Sequence, residues 1–124
     1  MTTVAELMNE GLLSLGPSIT VAEAATMMGE RRVGSALVMD GDTLLGIFTE
    51  RDIMRALGEH FDAAKHQVSE WMTQNPITVP PDTPAKDALK TMLDGGFRHL
   101  PVIDGERIIG VVSMRDLSGL ESEA

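Results

Sequence analysis

The chain has no cysteine among its 124 residues. Disulfide bonds, zinc–thiolate sites and iron–sulfur clusters are therefore excluded. Aromatic side chains are also scarce, since the chain has three Phe, one Trp and no Tyr. These few rings offer no evident stacking platform for nucleic acid. No apolar run approaches the roughly 18 residues that a membrane-spanning helix needs.

Basic residues are few, with ten Lys and Arg against 19 Asp and Glu, and the net charge is −9. Binding to nucleic acid or to an anionic membrane surface needs a basic face, so neither partner is expected. A small anionic ligand remains compatible, because one local cluster of Arg and His can hold it. The N-terminus lacks the basic stretch and apolar segment of a signal peptide, which favours a cytoplasmic location.

An internal repeat organises the whole chain. The sequence matches itself without a gap at an offset of 64 residues, so that Val4 corresponds to Val68 and Asp52 to Asp116. We assign residues 1–60 to the first repeat, 61–67 to a polar linker and 68–121 to the second repeat. A repeat of this size buries too little surface to be stable alone, so the two copies are expected to share one core.

Each repeat predicts the element order β-α-β-β-α after a short leading helix, which is a mixed α/β (α+β) fold. Asp40-Gly41 and Asp104-Gly105 predict the hairpin turns, since glycine tolerates a positive φ. The copies are expected to pack by pseudo-twofold symmetry into one module with equivalent ligand clefts between them. The predicted strands are residues 12–15, 36–39 and 44–48 in the first repeat and 77–79, 100–103 and 108–112 in the second.

Three segments carry a family resemblance: GIFTERD at 46–52, GVVSMRD at 110–116 and RHLPVID at 98–104. The chain resembles the CBS (cystathionine β-synthase) domain in its tandem form, the Bateman module, from about Val4 to Leu120. The resemblance implies a non-enzymatic regulatory module that binds AMP, ATP, NAD or a related adenosyl compound. It also implies a homodimer, for which Met27, Met28, Ala56 and Leu57 are the candidate contact residues.

The resemblance further implies a role for each site residue. Asp52 and Asp116 are expected to hold ribose hydroxyls. The residues expected beside the base are Ile47, Val111, Leu13, Thr73, Asn75, Pro76 and Ile77. Those expected near the phosphate are Thr49, Arg51, Ser113 and Arg115 at the helix starts and Gly34, Ser35, Arg98 and His99 before the second strands of the opposite repeats.

The residues themselves leave two interpretations of each signature open. The spacing of Thr49 and Asp52 also fits a capping box, in which the two residues exchange hydrogen bonds at a helix start. Capping boxes prefer Glu or Gln at the third position, however, and Arg51 lies where the helix dipole disfavours a cation. An anion bound at the helix start would make the charge of Arg51 stabilising there instead of destabilising. The alternative for Arg51 and Arg115 is a solvated surface charge or a salt bridge to Asp, and for Arg98 and His99 it is an exposed strand start.

If each site joins one signature to the other repeat's pre-strand residues, the two sites are unequal. The Asp52 site would face Arg98 and His99, and the Asp116 site would face Gly34 and Ser35. The Asp52 site then has more positive charge for a phosphate.

The sequence thus predicts a sensor module that binds an adenine nucleotide, AMP first, and signals to an effector protein in trans. The alternative is a ligand-free module for dimerisation or protein–protein interaction. The sequence has no visible nucleophile–base arrangement and no phosphate-binding loop, so an enzyme is not expected. Glu59, His60, Asp62 and His66 fit no standard ligand spacing, so no metal is expected.

Overall fold

The computed structural model describes residues 1–118. In chain order the elements are α1 (Val4–Leu7), β1 (Ser14–Leu15), α2 (Val21–Arg31), β2 (Ser35–Asp40), β3 (Thr43–Thr49), α3 (Glu50–Glu59), β4 (Thr73–Gln74), α4 (Ala85–Gly95), β5 (His99–Asp104), β6 (Arg107–Ser113) and α5 (Met114–Leu117), with 3₁₀ turns at Ala63–Lys65 and Val68–Glu70. The mixed α+β fold is confirmed. The predicted strand at 77–79 is reduced to one parallel bridge, between Val79 and Val102. The end of the second repeat, assigned to 121, falls partly outside the described residues.

The chain forms two compact units that do not coincide with the two sequence repeats. The first unit is Leu13–Pro76, and the second joins Met1–Leu12 to the chain from Ile77 onward. The leading segment of each repeat therefore belongs to the unit that contains the body of the other repeat.

Equivalent hydrogen bonds attach the leading segment in both units. In the first unit the N–H of Val21 donates to the carbonyl of His66 at 2.8 Å. In the second unit the N–H of Ala85 donates to the carbonyl of Thr2 at 2.9 Å. At the 64-residue offset Val21 corresponds to Ala85 and His66 corresponds to Thr2. The two repeats therefore also share these backbone hydrogen bonds.

The sheet of the first unit has the strand order β1-β2-β3-β4, in which β1 runs parallel to β2 and the other pairs are antiparallel. The second unit has the β5-β6 hairpin, to which Val79 adds a parallel bridge at Val102 and Asn9 an antiparallel one at Val111. The hairpin turns are confirmed. Their glycines have positive φ, +59° at Gly41 and +65° at Gly105.

Each unit has its own apolar core between its sheet and its helices. The buried core residues of the first unit are Leu13, Leu15, Val21, Ala24, Met28, Ala36, Val38, Phe48, Ala56, Ala63, Val68 and Trp71. Those of the second unit are Val4, Val79, Ala85, Ala88, Met92, Leu100, Val102, Val112 and Leu117. Alternate residues of a strand point to opposite faces, which explains why Ala36, Val38 and Phe48 share one core.

The core corrects one expectation about the dimer surface. Met28 and Ala56 were candidates for contact with a second copy, but both are core residues of the first unit. The exposed apolar side chains in this region are Met54, Leu57 and Phe61. A three-residue spacing places Met54 and Leu57 on one face of α3.

The segment predicted to be a polar linker is part of the first unit and packs against its helices. Ala63 is fully buried, and the 3₁₀ turn that contains it contacts α2 and α3. The carbonyl of His66 accepts the hydrogen bond from Val21 described above. A buried alanine and a backbone hydrogen bond thus attach the segment.

The glycine that opens each signature permits close packing. A Cβ on Gly46 would lie 2.6 Å from the carbonyl oxygen of Thr73 and 2.6 Å from Sδ of Met72. A Cβ on Gly110 would meet the side chain of Met8. A side chain at Gly46 would therefore separate the leading segment from the strand, whereas one at Gly110 would first displace the side chain of Met8.

We expect Gly46→Ala to destabilise the protein by roughly 1–3 kcal/mol, the usual cost of overpacking, because its methyl group meets backbone at Thr73. Gly58→Ala is the matched control, since a Cβ at Gly58 in α3 meets nothing within 4 Å. The control should gain about 0.5–1 kcal/mol from higher helix propensity. Urea unfolding followed by circular dichroism measures both. Equal stability of Gly46→Ala and the wild type would contradict the packing role.

Candidate functional site

Both predicted signatures lie where a strand passes into a helix, and both form capping boxes. The N–H of Thr49 donates to Oδ2 of Asp52 at 2.9 Å, and the N–H of Asp52 donates to Oγ1 of Thr49 at 3.3 Å. Ser113 and Asp116 make the same exchange at 2.8 and 3.0 Å. The capping interpretation is therefore confirmed at both signatures. Each carboxylate can accept further hydrogen bonds beyond those of its capping box.

Asp52 is the one buried charged residue found among residues 1–118, with 7% of the residue and 10% of its side chain exposed. Its Oδ2 also accepts the hydroxyl of Thr49 at 3.2 Å. Among the described residues, its Oδ1 accepts a hydrogen bond from Nη2 of Arg55 alone, at 3.3 Å. An ionised carboxylate can accept about four hydrogen bonds, so Oδ1 retains capacity for a further donor.

Arg55 and Trp71 complete the surroundings of Asp52. Nη2 of Arg55 also donates to the carbonyl of Trp71 at 2.9 Å, and the guanidinium carbon lies 5.1 Å from the centre of the Trp71 ring. Sequence reasoning missed both residues. The three-residue spacing of Asp52 and Arg55 was a usable signal, because such pairs are neighbours on a helix. Trp71 gave none, since its position depends on the leading segment of the second repeat.

The segment Thr73–Pro76 runs beside the strand of the first signature. Thr73 pairs with Ile47 and Gln74 with Gly46. Asn75 has φ +47°, a left-handed conformation that Asn tolerates better than most residues, and its N–H donates to the carbonyl of Leu45 at 3.1 Å. The predicted residues Thr73, Asn75 and Pro76 therefore lie in the same unit as Asp52.

The residues before the second strand of each repeat lie beside the signature of their own repeat. Ser35 pairs with Thr49, and the carbonyl of Gly34 accepts the N–H of Glu50 at 3.1 Å. The carboxylate of Glu50 covers Gly34, where a Cβ would lie 2.6 Å from Oε1. Gly34 and Ser35 thus belong to the immediate surroundings of the first helix start.

The second unit repeats this arrangement. His99 pairs with Ser113, and the carbonyl of Arg98 accepts the N–H of Met114 at 2.8 Å. Asn9 and Val111 exchange backbone hydrogen bonds of 2.9 and 3.1 Å. Arg98 and Asp52 belong to different units, so their predicted meeting at one phosphate stays a prediction.

The other predicted site residues differ in accessibility. Leu13 is a buried core residue of the first unit, Ile47 is buried and Ile77 is 48% exposed. Arg51 and Arg115 are exposed, and neither side chain makes an ion pair within residues 1–118.

Two further properties concern metals and membranes. Within the described part of the chain, no three His, Asp or Glu side chains gather in a way that could hold a metal ion. None of the helices described there has the length and apolarity to cross a membrane.

Comparison with known proteins identifies similar chains. A 17.7 kDa protein of Acidianus ambivalens is 39% identical over 119 residues, which are 94% of this chain and 71% of that protein. The chain spans only 19% of a CBS domain-containing protein of Arabidopsis thaliana that is 38% identical over 104 residues.

Solved structures share the fold. The CBS-domain containing protein ATU1752 from Agrobacterium tumefaciens has a TM-score of 0.89 at 29% identity, covering 99% of this chain and 100% of that one. The CBS domain pair of protein MJ0100, in complex with 5′-methylthioadenosine and S-adenosyl-L-methionine, has a TM-score of 0.88 at 27% identity, covering 99% and 98%.

The family model agrees with the internal repeat. The CBS domain model matches residues 4–59 and again residues 68–122, which together are most of the chain. The protein belongs to the CBS domain family and carries two CBS domains in tandem.

Proposed function

We propose that this CBS pair is a regulatory sensor that binds an adenine nucleoside or nucleotide, with the ribose on Asp52. One observation carries the proposal: a buried carboxylate at a helix start keeps an oxygen, Oδ1, with spare acceptor capacity. Two adjacent ribose hydroxyls are donors that suit such an oxygen. Thr73 and Asn75 are exposed residues beside the same strand, and we place the adenine ring against them.

The related pair of protein MJ0100 supports this ligand class. Its two ligands, 5′-methylthioadenosine and S-adenosyl-L-methionine, have the adenosine group in common. AMP, ATP and NAD contain the same group, and we propose AMP first. Arg51 lies at the N-terminus of the ten-residue helix α3, where exposed N–H groups and the helix dipole favour a phosphate.

We propose that the Asp52 site is the tighter of two. Arg55 holds the Asp52 carboxylate through Oδ1, and the second repeat has Gly119 at the corresponding position. Within residues 1–118, the Asp116 carboxylate makes no ion pair of this kind. Ligand binding would then shift the equilibrium between two conformational states of the protein. The shift can be no larger than the difference in the ligand's affinity for the two states. An effector protein in trans would respond to the change.

A ligand-free interaction module is the second candidate. Both signature carboxylates already act in capping boxes, which gives each a structural role without any nucleotide. The exposed apolar residues Met54, Leu57 and Phe61 add a surface for a second copy.

We expect Asp52→Asn to weaken AMP binding by about ten- to a hundredfold, because a hydrogen bond to a charged group contributes roughly 1.5–3 kcal/mol. The amide oxygen of Asn can still accept the N–H of Thr49, so the helix start is retained. Isothermal titration calorimetry measures the affinity. Asp116→Asn is the matched control and should leave the tighter site unchanged.

The opposite pattern would contradict the ribose role. If Asp52→Asn binds AMP as the wild type does while its melting temperature falls, the carboxylate serves only the capping box. The interaction module would then be the better account.

Arg98→Ala tests the phosphate assignment. We expect it to weaken AMP several-fold and to leave adenosine unchanged, because adenosine has no phosphate to meet. Isothermal titration calorimetry with AMP and with adenosine measures the two affinities. An equal loss for AMP and adenosine would exclude a specific contact between Arg98 and the phosphate.

We expect a homodimer in solution, formed through the exposed face of α3. Light scattering at about tens of micromolar, a usual affinity range for such contacts, should give twice the chain mass. Leu57→Glu should give a monomer, because it places a charge in an apolar contact, whereas Lys86→Glu on α4 should not. A monomeric wild type at this concentration would refute the dimer.

A further inference from the structure

A series of contacts leads from Asp52 to a histidine in the segment between the repeats. Beyond Arg55, the indole N–H of Trp71 donates to Nδ1 of His66 at 3.2 Å. Nε2 of His66 lies 3.3 Å from Oδ1 of Asp62. Trp71 is buried, and a quarter of the His66 side chain is exposed, so protons from solvent can reach the ring.

The contact between Trp71 and His66 requires a neutral imidazole. An indole N–H is only a donor, so Nδ1 must present its lone pair and the ring proton must lie on Nε2, facing Asp62. Protonation places a hydrogen on Nδ1, and two donors then oppose each other. Oε2 of Glu70, 3.8 Å from Nδ1, is the alternative partner for that new donor. On protonation, Nδ1 of His66 therefore loses the indole of Trp71 as its hydrogen-bond partner and gains the carboxylate of Glu70.

Acidic and basic groups surround His66. The side chains of Asp62 and Glu70 are 53% and 58% exposed. The ring of His60 lies 5.2 Å away, and the guanidinium of Arg55 lies beyond Trp71. Histidine is the side chain that ordinarily changes charge between about pH 5 and 8.

Trp71 transmits the change because it holds Arg55 in two ways. Its carbonyl accepts from Nη2, and its ring lies under the guanidinium. If the indole loses its partner, the ring under the guanidinium loosens, and Arg55 holds Oδ1 of Asp52 less firmly. We infer that His66 is a positioning residue for Asp52, which it holds through Trp71 and Arg55 only while its ring is neutral.

The second repeat has none of the three transmitting residues. Thr2, Leu7 and Gly119 stand at the positions of His66, Trp71 and Arg55. The pH effect on ligand affinity, which rests on the function proposed above, is therefore specific to the Asp52 site. Asp116 provides an internal control in the same chain.

The first experiment reads the histidine contact without ligand. Trp71 is the one tryptophan of the chain, and besides His66 the ring of His60 lies against it, with ring centres 5.7 Å apart. The emission is therefore measured in a His60→Asn background. We expect one transition between pH 5 and 8 in His60→Asn. Adding His66→Asn keeps an acceptor near the position of Nδ1 that does not titrate, and the emission of this double variant should not change with pH. A transition that persists in the double variant would overturn the inference.

The second experiment tests whether the effect reaches Asp52, again without ligand. Asp52→Asn is placed in the wild type and in His66→Asn, and urea midpoints are measured at pH 8 and 5.5. At pH 8 the substitution should shift the midpoint equally in both backgrounds. At pH 5.5 it should shift the wild type less, because the hold on Asp52 is already weaker there. Equal shifts at both pH values would overturn the inference. Arg55→Met replaces Asp52→Asn if that variant does not fold.

Adenosine then separates this inference from the proposed function. It has no phosphate to titrate in this pH range, so any change of affinity belongs to the protein. We expect binding about two- to tenfold weaker at pH 5.5 than at pH 8, the effect of one neutral hydrogen bond, and no change in His66→Asn. Failure of adenosine to bind at either pH would reject the nucleoside site, while the urea midpoints still decide the role of His66. Binding that is equal at both pH values in the wild type would overturn the inference.

Discussion

In each unit a leading segment packs closely against a glycine of the signature strand. A Cβ on Gly46 would meet the backbone of Thr73, and one on Gly110 the side chain of Met8, so glycine at both positions lets the chain that begins one repeat pair with a strand of the other. In the first unit this pairing places Thr73 and Asn75 beside the strand that ends at Thr49. Trp71, in the same leading segment, lies over Arg55. The surroundings of Asp52 therefore depend on this close packing.

The capping box and the proposed ligand site are compatible because they use different oxygens. Oδ2 of Asp52 closes the helix start with Thr49, and Oδ1 faces Arg55 with capacity to spare. Asp is a less usual capping partner than Glu, and its shorter side chain keeps the carboxylate close to the strand end. A structural role thus positions the group that the proposed function needs. The two CBS domains differ in what surrounds this group, which is why we expect their affinities to differ.

The sequence predicted the elements well because the repeat supplied two independent copies of each pattern. The Asp-Gly turns and the helix starts after Thr49 and Ser113 were confirmed within two residues. Hydrophobicity alone could not place Met28 and Ala56, since an apolar helix residue can face either a core or a partner. The grouping of Arg55, Trp71 and His66 could not be predicted, because it depends on which segment packs in which unit. Local patterns do not contain that information.

A crystal structure of the protein with AMP would show whether the ribose lies on Asp52. We expect a ribose hydroxyl within about 3 Å of Oδ1 of Asp52, the usual hydrogen-bond distance, with the base beside Thr73 and Asn75. Arg55 should keep its contact with the carbonyl of Trp71. A nucleotide bound elsewhere, with Asp52 contacting only Thr49 and Arg55, would exclude the proposed role of Asp52.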